Sequence, residues 1–303
     1  MKNVQFCSFD KTMLETYLWD DVTAPKGVVQ ILHGMAEHAR RYDDFAKYLN
    51  ASGYIVFADD HRAHGNTECE QDLGYHEGDI FEDTVSDEIA ITEFLSNKYN
   101  LPVVVLGHSY GSFVAQRYLE KPSKACGIIL SGSAYMKGLI TNVGAMISNM
   151  QYKKGARKKG VTMDNLSFGG YNKPFKAEGV KFAWLSRDRA QVDKYMADKQ
   201  CGYVMSNAFF KYFMQGLKAI YHPDNLSQIS LNKPIAIFSG EKDPLGGKNA
   251  KLSYKLANMY KKLGVKNLSY TVYPSARHEI LNEINKEEVY ADMLASIDKF
   301  ILA

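Results

Sequence analysis

The sequence predicts an α/β fold in which a mostly parallel sheet carries helices on both faces and a helical cap is inserted between two strands. Three observations lead there. Short apolar runs of the kind buried in parallel strands alternate with amphipathic stretches through residues 1–133, and the rhythm returns over 232–303. Between them, residues 134–231 contain no convincing buried strand. A glycine-flanked serine also sits where an apolar strand runs into a helix.

Taken in order, Asn3–Phe9 and Met13–Trp19 alternate around Asp10-Lys11 and predict an antiparallel hairpin. Gly27–Leu32, Tyr54–Ala58, Val103–Leu106 and Gly127–Leu130 read as buried strands. Amphipathic helices are predicted over Tyr42–Ala51, Val85–Tyr99 and Ser112–Lys121. After the inserted segment come the strand Pro234–Phe238, a helix around Leu252–Leu263 and the strand Leu268–Tyr273. The last helix is expected from Asn285, with Glu288 completing a capping box and Val289, Met293, Leu294, Ile297 and Phe300 on one apolar stripe. Roughly eight strands result, enough for one sheet covered on both sides.

A chain of 303 residues is near the upper end for one hydrophobic core, which favours a large unit with an inserted subdomain. With 46% hydrophobic and 23% charged residues it has the composition of a soluble globular protein. A net charge of +3 is too small to imply nucleic-acid binding. Met1–Phe6 lacks the apolar block of a signal peptide, and no stretch approaches the roughly 20 apolar residues of a membrane span. A cytoplasmic location is therefore expected. Cys7, Cys69, Cys126 and Cys201 lie far apart without a C-x-x-C pair and are expected to be reduced and structural.

Gly107-His108-Ser109-Tyr110-Gly111 has the form G-x-S-x-G after a β-branched strand, the pattern of a nucleophile elbow. Such a turn strains the serine backbone and holds its hydroxyl above the sheet edge, at the positive end of the next helix. A serine nucleophile needs a base, and the base needs an acid to fix its tautomer. Only His222 and His278 follow Ser109. His278 falls in a loop just after a strand, whereas His222 lies in the cap beside Pro223, so His278 is the expected base. Asp243 follows the strand Pro234–Phe238 and is the expected acid, with Glu241 its nearest rival. The oxyanion donors expected are the backbone N–H groups of Tyr110 and of Met35, in the loop after Gly27–Leu32.

His33-Gly34-Met35-Ala36-Glu37-His38 with Arg41-Tyr42 resembles the H-G-x-G-E-H…R-Y segment of the monoacylglycerol lipases and related lysophospholipases, which are α/β-hydrolases. Asp60-His61-Arg62-Ala63-His64-Gly65 is similar to their D-x-x-G-H-G loop, and Ser109, Asp243 and His278 fall where their triad motifs fall. The resemblance implies hydrolysis of a lipid ester through an acyl-enzyme. It also implies that Glu37, Arg41 and His108 surround the glycerol end of the substrate. Ala36 and Ala63 depart from the family pattern by replacing glycines, and alanine resists positive φ, so a shifted oxyanion loop is expected.

The four histidines His33, His38, His61 and His64 lack the H-E-x-x-H spacing of a metal site and are read as loop-stabilising. Gly246-Gly247-Lys248 lacks the leading glycine and the Ser or Thr of a phosphate loop. No metal or organic cofactor is expected. The Lys153–Lys159 run reads first as a solvated helix end, and otherwise as a contact with anionic lipid. The partners expected are a lipid ester, a transient membrane surface met through the cap, and no nucleic acid. A general carboxylesterase or an aryl-ester esterase would share every catalytic residue. A peptidase or a non-catalytic receptor on the same scaffold are the remaining readings.

Overall fold

Eight strands form: β1 (Lys2–Cys7), β2 (Met13–Trp19), β3 (Gly27–Leu32), β4 (Tyr54–Asp59), β5 (Val103–His108), β6 (Ala125–Ser131), β7 (Ile235–Gly240) and β8 (Leu268–Tyr273). In the computed structural model, which describes residues 1–302, they build one sheet in the order β1-β2-β4-β3-β5-β6-β7-β8. The hairpin β1–β2 and the pair β2–β4 are antiparallel; every other pairing is parallel. Every residue of β3, β4, β5 and β7 is buried, which is why these strands read as apolar runs apart from Gln30 and the carboxyl ends of β4, β5 and β7. β1 is an exposed edge strand.

The helices are α1 (Asp43–Ala51), α2 (Ile80–Tyr99), α3 (Tyr110–Tyr118), α4 (Leu139–Lys153), α5 (Val161–Phe168), α6 (Arg189–Ala197), α7 (Asn207–Ile220), the single turn α8 (Pro223–Leu226), α9 (Lys251–Leu263) and α10 (Lys286–Ile301). α1 and α10 cover one face, where Phe45, Met293 and Ile297 meet Val29, Val104 and Ile129. α2, α3 and α9 cover the other, where Val85, Val114 and Leu256 meet Val105, Ile128 and Ile235. Helices on both faces of a mostly parallel sheet make this the expected α/β-hydrolase architecture.

Two helix starts differ from expectation. α2 begins at Ile80 rather than Val85, because the Asp79 carboxylate accepts the Glu82 N–H at 3.2 Å and caps an earlier turn. At α10 the expected capping box does not form. Asn285 Oδ1 instead accepts from Arg187 at 2.8 Å, and its Nδ2 donates to Glu288.

α4 to α8 lie between β6 and β7, and within this insertion α7 belongs to the main core. Its Phe209 and Phe213 pack against Phe81 of α2 and against Tyr110 and Phe113 of α3. A separate aromatic cluster around Trp184, Leu185 and Tyr195 sits above the sheet's carboxyl edge. Among the described residues, no helix is long and apolar enough to cross a membrane.

Candidate active site

Ser109 stands between β5 and α3 with φ 51° and ψ −115°. Close packing of the backbone explains both flanking glycines. A β-carbon on Gly107 would lie 2.3 Å from the Gly111 carbonyl, and one on Gly111 would lie 2.2 Å from that of Leu32. Holding a non-glycine residue this way costs about 1–3 kcal/mol and persists only when the surroundings over-determine it. Here the Ser109 N–H donates to Ser131 O and the Gly111 N–H to His33 O, both at 3.0 Å, which pins the turn to β6 and to the loop after β3.

Asp243 and His278 emerge from the ends of β7 and β8 and are buried. His278 Nδ1 lies 2.9 Å from Asp243 Oδ1. The other Asp243 contact is a turn bond in which Oδ1 accepts the Leu245 N–H at 2.9 Å. The His278 ring sits 4.9 Å from that of His108, the residue preceding Ser109. Burial pulls the His278 imidazole down, but the Asp243 charge, aided by Glu279 and Glu37, outweighs it and holds the group above the ordinary 6.5. Burial and the neighbouring His278 push His108 down to about 4, so it is neutral. The rivals lie elsewhere: Glu241 is held at the surface by Lys242 and the Ser275 N–H, and His222 is exposed beside Asp224.

Among the described residues, neither the Met35 nor the Tyr110 N–H has a hydrogen-bond acceptor, and both belong to loops that meet at Ser109. The loop does not avoid positive φ as expected. Ala36 takes φ 53° and Ala63 φ 66°, the left-handed region that glycine favours. Each left-handed alanine costs roughly 1–2 kcal/mol. The cap holds both in place: Ala36 O accepts the Gly202 N–H at 2.9 Å and the Tyr195 hydroxyl at 3.2 Å, and Ala63 O accepts the Tyr203 hydroxyl at 3.1 Å.

The chain also has relatives among known proteins. Residues 23–285 match the family described as "Serine aminopeptidase, S33". The chain belongs to this family. It is 28% identical to a monoacylglycerol lipase of Mycolicibacterium smegmatis over 92% of this chain and 91% of that one. Against the human monoglyceride lipase the figures are 25%, 88% and 84%. Among solved structures, a carboxyl esterase from Bacillus coagulans in complex with glycerol superposes with a TM-score of 0.89 at 24% identity, covering 99% of this chain and 98% of that one. These relatives are lipases and esterases, and this family member is accordingly a hydrolase.

Within that frame, Glu37, Arg41 and His108 converge as a group but are occupied by protein partners. Arg41 grips Glu279 with bonds of 2.8 and 2.7 Å, pairs with Glu37 and stacks on Tyr195. Glu37 Oε1 accepts the Gly34 N–H at 2.5 Å and the Tyr42 hydroxyl at 2.9 Å. Burial raises Glu279, but Arg41 more than offsets it and brings the carboxyl to about 2, so the ion pair is complete at neutral pH. The recess these side chains leave is about 10 Å³, room for about one water rather than a glycerol moiety.

The clustered histidines stabilise their loops. His33 Nε2 accepts the His61 N–H at 3.0 Å, the two rings stack at 3.9 Å, and His61 Nδ1 lies 2.9 Å from Asp59. The four cysteines carry no disulfide, and Cys126 is only partly buried.

Two cavities flank the site. One, of about 440 Å³, is lined by apolar residues of α4, α5 and α7 together with Phe113 and Leu245, neighbours of Ser109 and Asp243 in the chain. The other, of about 310 Å³, reaches Met35 and Trp184 and includes Asp164, Asn165, Asn172 and Lys181. Phe168 borders both. Trp184, 5.0 Å from the His278 ring, escaped sequence reasoning because its segment carries no motif. Glu279 could have been found, since it adjoins His278 and answers the charge of Arg41.

Proposed function

We propose that this protein hydrolyses carboxylic esters of single-chain lipids, with a monoacylglycerol the substrate the site supports best. The buried His278–Asp243 pair, its imidazole ring 4.9 Å from that of His108, which precedes the strained Ser109, carries the reading. His278 takes the Ser109 proton as the hydroxyl attacks the ester carbonyl, and the Met35 and Tyr110 N–H groups stabilise the oxyanion. The imidazolium, balanced by Asp243, returns that proton to the departing alcohol. Water then repeats the sequence on the acyl-enzyme and releases the fatty acid. The Glu37–Arg41–Glu279 network acts in this scheme by fixing the oxyanion loop to the base loop.

The lipid preference is supported by the apolar cavity, whose lining contains no charged side chain. Burial of each methylene stabilises binding by about 0.8 kcal/mol, so acyl chains of increasing length should be selected steeply. The family description names an aminopeptidase, yet Asp164 is the one carboxylate lining either cavity, and Lys181 lies in the same lining. That is a poor receptor for a free amino terminus. Fatty acid release from monoacylglycerols of rising chain length, measured beside short soluble esters, tests the reading. A flat or falling profile would favour the general carboxylesterase.

We also propose that the cap meets an anionic lipid surface. Leu139, Val143, Met146 and Met150 lie exposed along one side of α4, and Leu139, Val143 and Leu166 also line the apolar cavity. No Asp or Glu occurs between Glu120 and Asp164, while Lys137, Lys153, Lys154 and Lys158 are exposed there without ion-pair partners. Basic residues around an apolar patch favour anionic bilayers by about 1 kcal/mol each. The protein in this reading is cytoplasmic and touches the membrane through α4 and α5.

A further inference from the structure

The loop that carries His278 is bonded to the cap at three successive residues. The His278 N–H donates to Trp184 O at 3.3 Å and the Glu279 N–H to Leu185 O at 2.7 Å. Arg277, buried although charged, reaches into the cap with its side chain. Its Nη1 donates to Ala183 O at 2.6 Å and to Ser186 O at 3.2 Å, so one guanidinium spans both ends of the segment Ala183–Ser186. Glu178 neutralises it, and the Phe175 ring lies 4.1 Å away. The Arg277 N–H itself is fixed by Glu283 at 2.7 Å, a carboxylate that also receives Arg187 from the end of the same segment.

What this segment presents to the site is Trp184. Its ring lies 5.0 Å from the His278 ring and tilted to it, and the His108 ring lies 4.9 Å from the same imidazole. Behind Trp184 stand Phe168 and Tyr171, stacked and edge-on. The Asp243 contact restrains one nitrogen of the imidazole and leaves the ring free to tilt about that point. Contact with the Trp184 ring restricts that tilt.

We infer that Arg277 is a positioning residue for the base: it clamps Ala183–Ser186 and thereby holds Trp184 against His278. The inference rests on the role proposed above for His278. Arg277 touches no reacting atom, and its loss acts through the imidazole alone. The guanidinium gives one nitrogen to the two carbonyls and the other to Glu178, a set of contacts that lysine reproduces only in part.

The test uses the full chain and a soluble short-chain p-nitrophenyl ester, so that neither acyl selection nor a lipid surface enters. Arg277→Ala should lower kcat on the order of 10–10²-fold, the scale of a small misplacement of a catalytic group, with KM changed less than about twofold. The rate of fluorophosphonate labelling, which also needs the base, should fall in step. Added guanidinium should restore part of kcat, and Arg277→Lys should fall between the two. Arg157→Gln, which removes a different exposed cap contact, to Asp72, should leave kcat unchanged. If Arg277→Ala does not fold, Trp184→Ala must show the same loss in kcat. An unchanged kcat in either variant, a loss confined to KM, or an equal loss in Arg157→Gln would overturn the inference while leaving the hydrolase reading intact. A natural-sequence protein that takes no fluorophosphonate would remove both.

Discussion

Asp243 Oδ1 and His278 Nδ1 sit 2.9 Å apart, and neither residue is more than 3% exposed. Burial alone would lower the imidazole, yet the carboxylate keeps it above 6.5. A base acts only when neutral, so kcat/KM should fall as pH drops through that raised value. The pH–rate profile on a soluble ester should show an acid limb centred above 6.5. Asp243→Asn removes the largest charge that opposes burial: the limb should move to lower pH and the rate should drop by about 10⁴. A limb that stays in place in Asp243→Asn would count against the pairing.

Ala36 predicts the behaviour of the oxyanion loop. Alanine tolerates φ 53° at a cost, whereas a β-branched residue there is a steric outlier. Ala36→Val should displace the adjacent Met35 N–H and lower kcat by about 10²-fold or more, with the fold retained by circular dichroism. Activity equal to the unaltered protein would mean that Met35 is not a donor.

The apolar cavity can be shortened from α4. A β-carbon on Gly144 would lie 3.0 Å from the flexible thioether of Met214, so a larger side chain is accommodated by moving it into the cavity. Gly144→Leu should leave kcat/KM on a four-carbon ester within about twofold. Each methylene excluded from a longer chain should cost about 0.8 kcal/mol, or about fourfold in kcat/KM. Equal losses at all chain lengths would place the acyl chain elsewhere.

The membrane contact is checked on residues outside the cavity lining. Met146 and Met150 are 59% and 55% exposed. Replacing both by serine should reduce sedimentation with phosphatidylserine vesicles and leave short-ester kcat unchanged. Raised salt should weaken the binding of the unaltered protein, because the lysines act through a screened potential. Vesicle binding insensitive to both changes would refute the contact.

Much of this was legible in the sequence because buried parallel strands and tight turns leave strong local marks. β3, β4, β5 and β7 stand out as apolar runs, and Gly107 is dictated by a backbone contact within its own turn, while Gly111 packs against Leu32 at the end of β3. Asp243 and His278 were found through their positions after strands. What escaped was set by partners distant in the chain. The conformation of Ala36 depends on Gly202 and Tyr195, and the orientation of Asn285 on Arg187. Arg41 and Glu37 were placed around a substrate by the resemblance alone; the pairing of Arg41 with Glu279, more than two hundred residues away, leaves no local mark. Trp184 has no sequence signal at all, since its place over His278 is made by backbone bonds to the base loop.

The most direct measurement is the intact mass of the protein after exposure to a fluorophosphonate, with Ser109→Ala beside it. A single adduct on the unaltered chain, mapped to the peptide containing Ser109 and absent from the variant, is the predicted result. An adduct that persists in Ser109→Ala, or none on the unaltered protein, would contradict the proposed chemistry.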